Sequence, residues 1–405
     1  MERIRADFAE GFVPKPVHPF PARMAPQIAL DAMAGALKPM RILDPMMGSG
    51  TVLSVARAAG HFAVGVDTDP LAVLLAQVWT TSISNQTVSS KAEQVLERAR
   101  KIFRNSSSRE AYPTYADDET KEFIRYWFDE YSRRQLHALA TSIGRTRDST
   151  VRNVLWCGFS RLIITKQSGA SLAMDLSHSR PHRKFSRAPV KPFNKFLAAV
   201  DLVLKNCPSP AQTAPASVAK LGDARHLTLP DESIDLVVTS PPYLNAIDYM
   251  RCSKFSLVWM GYSIEALRKI RREIIGSETA SEESSDCAYV QSLISSLRLS
   301  PEPKRRESRI LARYVWDMNK AISEASRVLK SGGRGIYVVG DSNIRGTFVP
   351  NSSIVSALAE RHGLHVESMQ SRQLPENRRY LPPPSIKTSS LDNRMRREVV
   401  IQVRK

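Results

Sequence analysis

Residues 41–80 constrain the fold most. Arg41-Ile42-Leu43 is a short, mostly apolar run that ends at Asp44, and Asp44-Pro45-Met46-Met47-Gly48-Ser49-Gly50-Thr51 is a glycine-rich turn. A helix is expected from about Val52 to Ala59, with Gly60 as its stop. Phe62–Val66 reads as a second strand ending at Asp67, and Leu71–Val78 as a second helix. Two short strands, each followed by a helix, begin a parallel sheet. Open sheets of this kind hold ligands outside the carboxyl ends of their strands. That rule puts Asp44 and Asp67 beside a ligand.

The regularity then breaks. Residues 81–215 contain no further clear strand–helix unit. Lys91–Ile102 and Glu119–Ile143 look helical, the second with Phe123, Trp127, Tyr131 and Leu139 among its larger apolar residues; 151–164 is an apolar helix, and 165–195 is a loop. This is too long for an ordinary connection. The expectation is a cofactor-binding part over 1–84, an inserted helical subdomain over 85–215, and a catalytic part over 216–405. In the last part, strands are expected near Ala219–Leu221, ending at Asp223, and over Ile234–Val238. Ser277–Asp286 is acidic and Ser-rich, as a mobile loop would be. Tyr314–Leu329 is a helix stopped by Lys330-Ser331-Gly332-Gly333, followed by a strand over Gly335–Val339. A helix over Ile354–Arg361 and two strands, Leu364–Ser368 and Val399–Val403, close the chain, and by analogy with sheets of this kind the last pair is expected to be antiparallel. The fold class is therefore α/β, a Rossmann-like sheet with a largely helical insertion.

The run Ile234–Val238 ends in Thr239-Ser240-Pro241-Pro242-Tyr243. Proline cannot continue a sheet ladder, so the strand stops there. Ser240 can accept a hydrogen bond from an amine, the Pro241 carbonyl can accept a second, Pro242 stiffens the turn, and Tyr243 can stack on a ring. This set suits gripping a flat base by its amino group. Asn245, Asp248 and Tyr249 follow closely enough to line such a pocket, and Arg251 and Lys254 could meet phosphate.

The glycine turn offers complementary chemistry. Gly48 and Gly50 allow a tight turn and close approach. Around Ser49 and Thr51, the amides opening the next helix can face a carboxylate. Asp44 could accept from an ammonium, Asp67 from the two hydroxyls of a ribose, and Asp223 from an adenine amine. A ligand with an amino acid at one end and adenosine at the other fits all three, and S-adenosylmethionine is such a ligand. A dinucleotide fingerprint is absent because position 53 is Leu53, and no Gly-Lys-Ser/Thr phosphate loop follows.

Together these segments resemble the DNA amino-methyltransferases, which methylate cytosine N4 or adenine N6. In that family an Asp-Pro-x-x-Gly-Ser-Gly-Thr element holds the methionine moiety, here Asp44 to Thr51. His18-Pro19-Phe20-Pro21-Ala22-Arg23-Met24 is similar to the family's first segment, which implies that Phe20 covers the methionine end of the cofactor. The resemblance covers 15–80 and 219–260 well and 313–345 loosely. Thr before Ser-Pro-Pro-Tyr leans it toward cytosine N4, where Asp or Asn at the Ser240 position would lean toward adenine N6. It implies a DNA substrate whose target base is flipped out of the duplex. It also makes 85–215 the candidate for target recognition. The strongest alternative is an RNA enzyme acting on guanine N2, whose relatives usually read Asp-Pro-Pro-Tyr.

Composition agrees with a polyanionic partner. The 405 residues carry a formal net charge of +18. Between 180 and 195, Arg180, Arg183, Lys184, Arg187, Lys191 and Lys195 have no acidic neighbour in the sequence, and a second basic region runs from Arg378 to Arg397. The four cysteines form no Cys-x-x-Cys pair, so free thiols and no metal site are expected. No signal-like or membrane-length apolar run is present, which suggests a cytoplasmic protein. No nuclease constellation is apparent. In a restriction–modification role, cleavage would come from a separate restriction endonuclease.

Overall fold

The computed structural model describes residues 14–21, 23–107, 111–177, 181–208, 215–244, 249–277, 287–344, 346–373 and 397–405. Seven strands form one sheet: β1 Arg41–Asp44, β2 Phe62–Asp67, β3 Ser217–Leu221, β4 Ile234–Thr239, β5 Leu329–Val339, β8 His365–Gln373 and β9 Arg397–Arg404. Their order is β3-β2-β1-β4-β5-β9-β8. The first five are parallel, and β9 runs antiparallel between β5 and β8. A small hairpin, β6 Ser342–Ile344 and β7 Thr347–Val349, follows β5. This is a Rossmann-like α/β sheet, with the expected antiparallel tail.

Both faces of the sheet are covered, so its strands read as nearly continuous apolar runs. The period of two still sorts them. Ile42, Leu236, Val238, Ile336 and Val338 pack against the helices Pro26–Met33 and Thr51–Ala58. Their neighbours Leu43, Val237, Tyr337 and Val339 pack against the helices Arg305–Val328 and Asn351–Arg361. The order reverses between β1 and β4, which pair directly. That reversal opens a crevice at the carboxyl ends of these two strands.

The insertion is helical. It contains Asn85–Asn105, Asp118–Trp127, Glu130–Gly144, Ser149–Ile163 and Pro192–Leu204. Three details differ from the sequence expectation. The single helix expected over Glu119–Ile143 is broken at Phe128, which is extended, because Asp129 caps a new helix by accepting from the Ser132 amide at 3.1 Å. The stretch 192–204, partly assigned to a loop, is a helix opened by Pro192 at its first position. Lys330–Gly333 is no helix stop but the start of β5, held at its turn by Gly332 N–H to Lys405 O at 2.8 Å. The acidic segment 278–286 and most of the basic region 374–396 lie outside the described residues.

The insertion does not have a core to itself. Val95, Phe128, Leu139, Leu155 and Phe196 belong to one cluster with Leu71, Leu75 and Trp79 of Pro70–Thr80 and with Phe255 and Trp259 of the stretch opened by Met250–Leu257. Trp259 is thus buried core.

Candidate active site

The glycine turn sits at the top of β1. Gly50 has φ 87°, in the left-handed region, and a Cβ there would lie 2.7 Å from the Ala76 Cβ. Only glycine lets the helix Pro70–Thr80 approach so closely. Gly48, at φ 50°, has open space where a side chain would stand. The helix Thr51–Ala58 begins without a side-chain cap, so its first amides are available to an anion. Ser49 is buried, and its hydroxyl has no hydrogen-bond partner among the described residues. A buried orphan hydroxyl beside an uncapped helix start fits a bound carboxylate.

Asp44 is 3 % exposed. One of its oxygens, Oδ1, accepts from the Thr239 hydroxyl at 2.8 Å and from the Met46 amide at 3.2 Å. Burial raises its pKa to about 7, the Thr239 and Met46 bonds oppose the rise, and the nearby Asp67 charge adds to it. No cation is paired with it among the described ion pairs, so a ligand ammonium would supply what the site lacks. Asp67 is also pushed up by burial. Its Oδ2 accepts from Gly48 N at 2.8 Å and its Oδ1 from Asp69 N at 2.9 Å. The carboxylate thus holds the glycine turn.

Asp223 is placed differently. Both of its oxygens are taken by Arg225, through Nε at 3.0 Å to each and Nη2 at 2.6 Å to Oδ2. Burial alone would raise the Asp223 carboxyl, but the Arg225 bonds and charge outweigh it and hold the pKa below the usual value. Arg225 also reaches the buried Asp317 at 2.6 Å, which Arg313 meets at 2.7 Å. Asp223 is therefore a member of a charge network as well as a strand-end acid. Arg225 stands two residues away in the sequence, and that spacing was a readable signal for the pair.

The Ser-Pro-Pro-Tyr corner meets the glycine turn at the reversal point. Ser240 is half-buried, and its hydroxyl donates to the Val338 carbonyl of β5 at 3.0 Å. With the proton committed there, the oxygen lone pairs are left to accept. The Tyr243 hydroxyl lies 3.3 Å from the Ser240 oxygen. Pro241 is buried, and Pro242 and Tyr243 are half-buried. Tyr314, fully buried close by, has a hydroxyl with no hydrogen-bond partner among the described residues. Burial foremost, then the neighbouring Tyr243 and Asp341, push its pKa well above normal.

Phe20 is buried and stacks on Tyr249, with ring centroids 6.1 Å apart and planes at 25°. Asn245 and Asp248 lie outside the described residues. Two residues that sequence reasoning missed connect these parts. Asp69 caps the helix Pro70–Thr80 through Leu71 N at 2.8 Å, and its other oxygen accepts from the buried Ser253 hydroxyl at 2.5 Å. Asp69-Pro70 has the pattern of a helix start, but nothing in the sequence points to Ser253. The pair ties the helix Pro70–Thr80 to the helix that follows the Ser-Pro-Pro-Tyr corner.

No family model matches the chain. It is 23 % identical over 418 residues to the type II methyltransferase M.MvaI of Kocuria varians, covering 96 % of this chain and 90 % of that one. It is 23 % identical over 372 residues to the type II methyltransferase M.AvaI of Nostoc sp., covering 81 % and 74 %. Among solved structures it overlaps a SAM-dependent methyltransferase of Methanosarcina mazei (TM-score 0.34, 10 % identity, 95 % of this chain and 99 % of that one). It also overlaps a TehB-like SAM-dependent methyltransferase of Corynebacterium glutamicum (TM-score 0.31, 11 % identity, 94 % and 86 %). At these scores the strand order, not the superposition, carries the fold. The strand order is that of a Rossmann-like α/β sheet, and the sequence is similar along most of its length to two type II methyltransferases.

Proposed function

We propose that this protein is a site-specific DNA methyltransferase that moves a methyl group from S-adenosylmethionine to an exocyclic amine of a base, cytosine N4 foremost. One observation carries the proposal: Thr239 of the Ser-Pro-Pro-Tyr element and Asp44 of the glycine turn, 195 residues apart in sequence, share a buried 2.8 Å hydrogen bond. It brings an amine-gripping corner and an amino-acid-binding turn to one crevice.

In this reading Asp44 receives the cofactor ammonium. Gly48, Ser49, Gly50 and Thr51 receive its carboxylate and Asp67 the ribose, while Asp223, its oxygens held by Arg225, stands at the adenine end. Phe20 closes the methionine end. The bound cofactor supplies an electrophilic methyl group on a sulfonium. The amine is a poor nucleophile because its lone pair is delocalised into the ring. Ser240 Oγ and the Pro241 carbonyl would accept hydrogen bonds from its two N–H groups, which draws the nitrogen toward a tetrahedral shape and stabilises the positive charge that develops on it. As the N–C bond forms the C–S bond breaks to leave the neutral thioether, and the alkylated amine loses one proton to solvent. Tyr243 stacks on the base, and Pro242 keeps the corner stiff. Placement beside the methyl group provides much of the rate. A paired base cannot enter such a corner, so it is flipped out. The insertion, 85–215, reads the target.

The test is to incubate the protein with labelled S-adenosylmethionine and, separately, unmethylated duplex DNA and total RNA, and to identify the labelled nucleoside by mass spectrometry. N4-methylcytosine in DNA is expected. N6-methyladenine would keep the mechanism and correct the base. Label confined to RNA would sink the DNA assignment in favour of an RNA amine such as guanine N2.

A further inference from the structure

A groove of about 920 Å³ opens between the insertion helix Asp118–Trp127 and the helices Met250–Leu257 and Ile264–Glu273. None of Asp44, Asp67, Ser240 or Tyr243 lines it. Its floor is aromatic: Phe123 and Trp127 both pack edge-on against the buried Phe255, at 5.2 and 5.0 Å between ring centroids. Its walls are basic. Arg251 and Lys254 stand three apart on one helix, and Arg268 and Arg271 stand three apart on another. Residues at that spacing share a helix face. Lys254 Nζ lies 5.1 Å from the centre of the Phe123 ring, so cation and ring share one surface. Two acids, Glu119 and Glu122, also line the groove, and Glu119 is paired with Arg268. With Arg125 the count is five cations against two acids.

Paired cations around an aromatic floor match a nucleic-acid strand, whose charge repeats along its length and whose bases offer flat faces. A small anion would use one or two of these cations, and an apolar peptide none. The groove is also connected to the catalytic corner. The helix carrying Arg251 and Lys254 begins at Met250, after Tyr249, which stacks on Phe20. From Tyr243 to Arg251 the chain can span at most about 28 Å, within reach of a few nucleotides of one strand. The same helix turns Ser253 toward Asp69 and Ser256 toward Ser160, where the two hydroxyls lie 2.8 Å apart. One face is thereby fixed to the cofactor side while another lines the groove.

We infer that this groove is where the DNA backbone next to the methylated base is held. The phosphates meet Arg251, Lys254, Arg268 and Arg271, above a floor of Phe123 and Trp127. The inference rests on the DNA methyltransferase reading and adds a binding surface that the two sequence motifs do not contain.

The experiment measures binding of a fluorescent mixed-sequence 30-base-pair duplex to the full-length protein from 50 to 300 mM salt. It compares wild type with the double variants R251Q/K254Q and R268Q/R271Q, and with K184Q/R187Q in the basic loop. Cofactor affinity checks that each variant is folded. Each groove pair should weaken binding about 10- to 50-fold at low salt and reduce the slope of log affinity against log salt by about 1.8. Unchanged slopes in both groove pairs overturn the inference, and so does a loss confined to K184Q/R187Q. If wild type methylates DNA while the groove variants bind and turn over normally, the groove fails and the proposed function stands. If wild type neither binds nor methylates DNA, both fail. A groove-dependent slope on RNA with none on the duplex overturns the DNA assignment.

Discussion

The carboxyl ends of β1 and β3 each present an aspartate, and the two are treated in opposite ways. Asp44 is buried with no paired cation among the described residues, and its pKa rises to about 7. Asp223 is gripped by Arg225 and held below the usual range. By position the two acids look alike. The difference is one of pairing: Asp44 is held by hydrogen bonds alone, whereas Asp223 already has its counter-charge. A buried charge is costly unless paired, so Asp44 is kept at a cost to the ligand-free fold, and Asp223 contributes to the fold.

The largest expected effect lies across the Thr239–Asp44 bond. Ser240→Ala should lower kcat by about 10²- to 10³-fold, in the range seen when one group stabilising a transition state is removed, and leave cofactor affinity unchanged in calorimetry. A parallel loss of cofactor affinity in a folded protein would erase the boundary between catalytic corner and cofactor turn.

Next come the two acids themselves. Asp44→Asn should weaken cofactor binding on the order of 10²-fold, because a buried ammonium loses its charge partner. Asp223→Asn should cost less than about tenfold, since Arg225 already occupies both oxygens. Equal losses would break the comparison outright.

A smaller effect follows from pH. The ionised Asp44 is the form that receives an ammonium. Cofactor affinity should therefore be flat above pH 7 and fall below it, by up to about tenfold per pH unit, and Asp44→Asn should lose this dependence. The sign for folding is opposite. Asp44 is raised from an unfolded value of 3.8, so its contribution to ligand-free stability is full below that value and is lost as pH rises through about 7. Asp44→Asn should then raise the melting temperature at pH 8 and not at pH 4, while Asp223→Asn lowers it by about 1 kcal/mol equivalent at pH 8. Two melting curves at each pH decide whether the signs differ.

Much of the sheet was legible because its signals are local. Apolar runs ending in Asp44, Asp67 and Ser-Pro-Pro-Tyr, with glycine or proline as punctuation, place strands and their ends without tertiary information. The last two strands were legible for the same reason, but their antiparallel pairing was expected only from the resemblance and not from the residues. The insertion was legible as helical but not in its breaks. Asp129 stops one helix by capping the next, which competes with an amphipathic pattern that runs through it. The partners of the site were least legible. Ser253 for Asp69, Val338 for Ser240 and Asp317 for Arg225 lie 184, 98 and 92 residues away. Such pairs are chosen by the packing of whole elements, and no spacing rule encodes them.

The shared core of the insertion has a practical consequence for anyone who would exchange it. Phe128 of the insertion meets Trp259 edge-on, with ring centroids 5.4 Å apart, and Tyr115 donates from its hydroxyl to the Val258 carbonyl at 2.8 Å. A transplant cut at residues 85 and 215 would divide a continuous apolar interior and expose both halves. A graft should carry Met250–Glu273 with the insertion, and its seam must keep both the Asp69–Ser253 hydrogen bond and the apolar face of Leu71, Leu75 and Trp79.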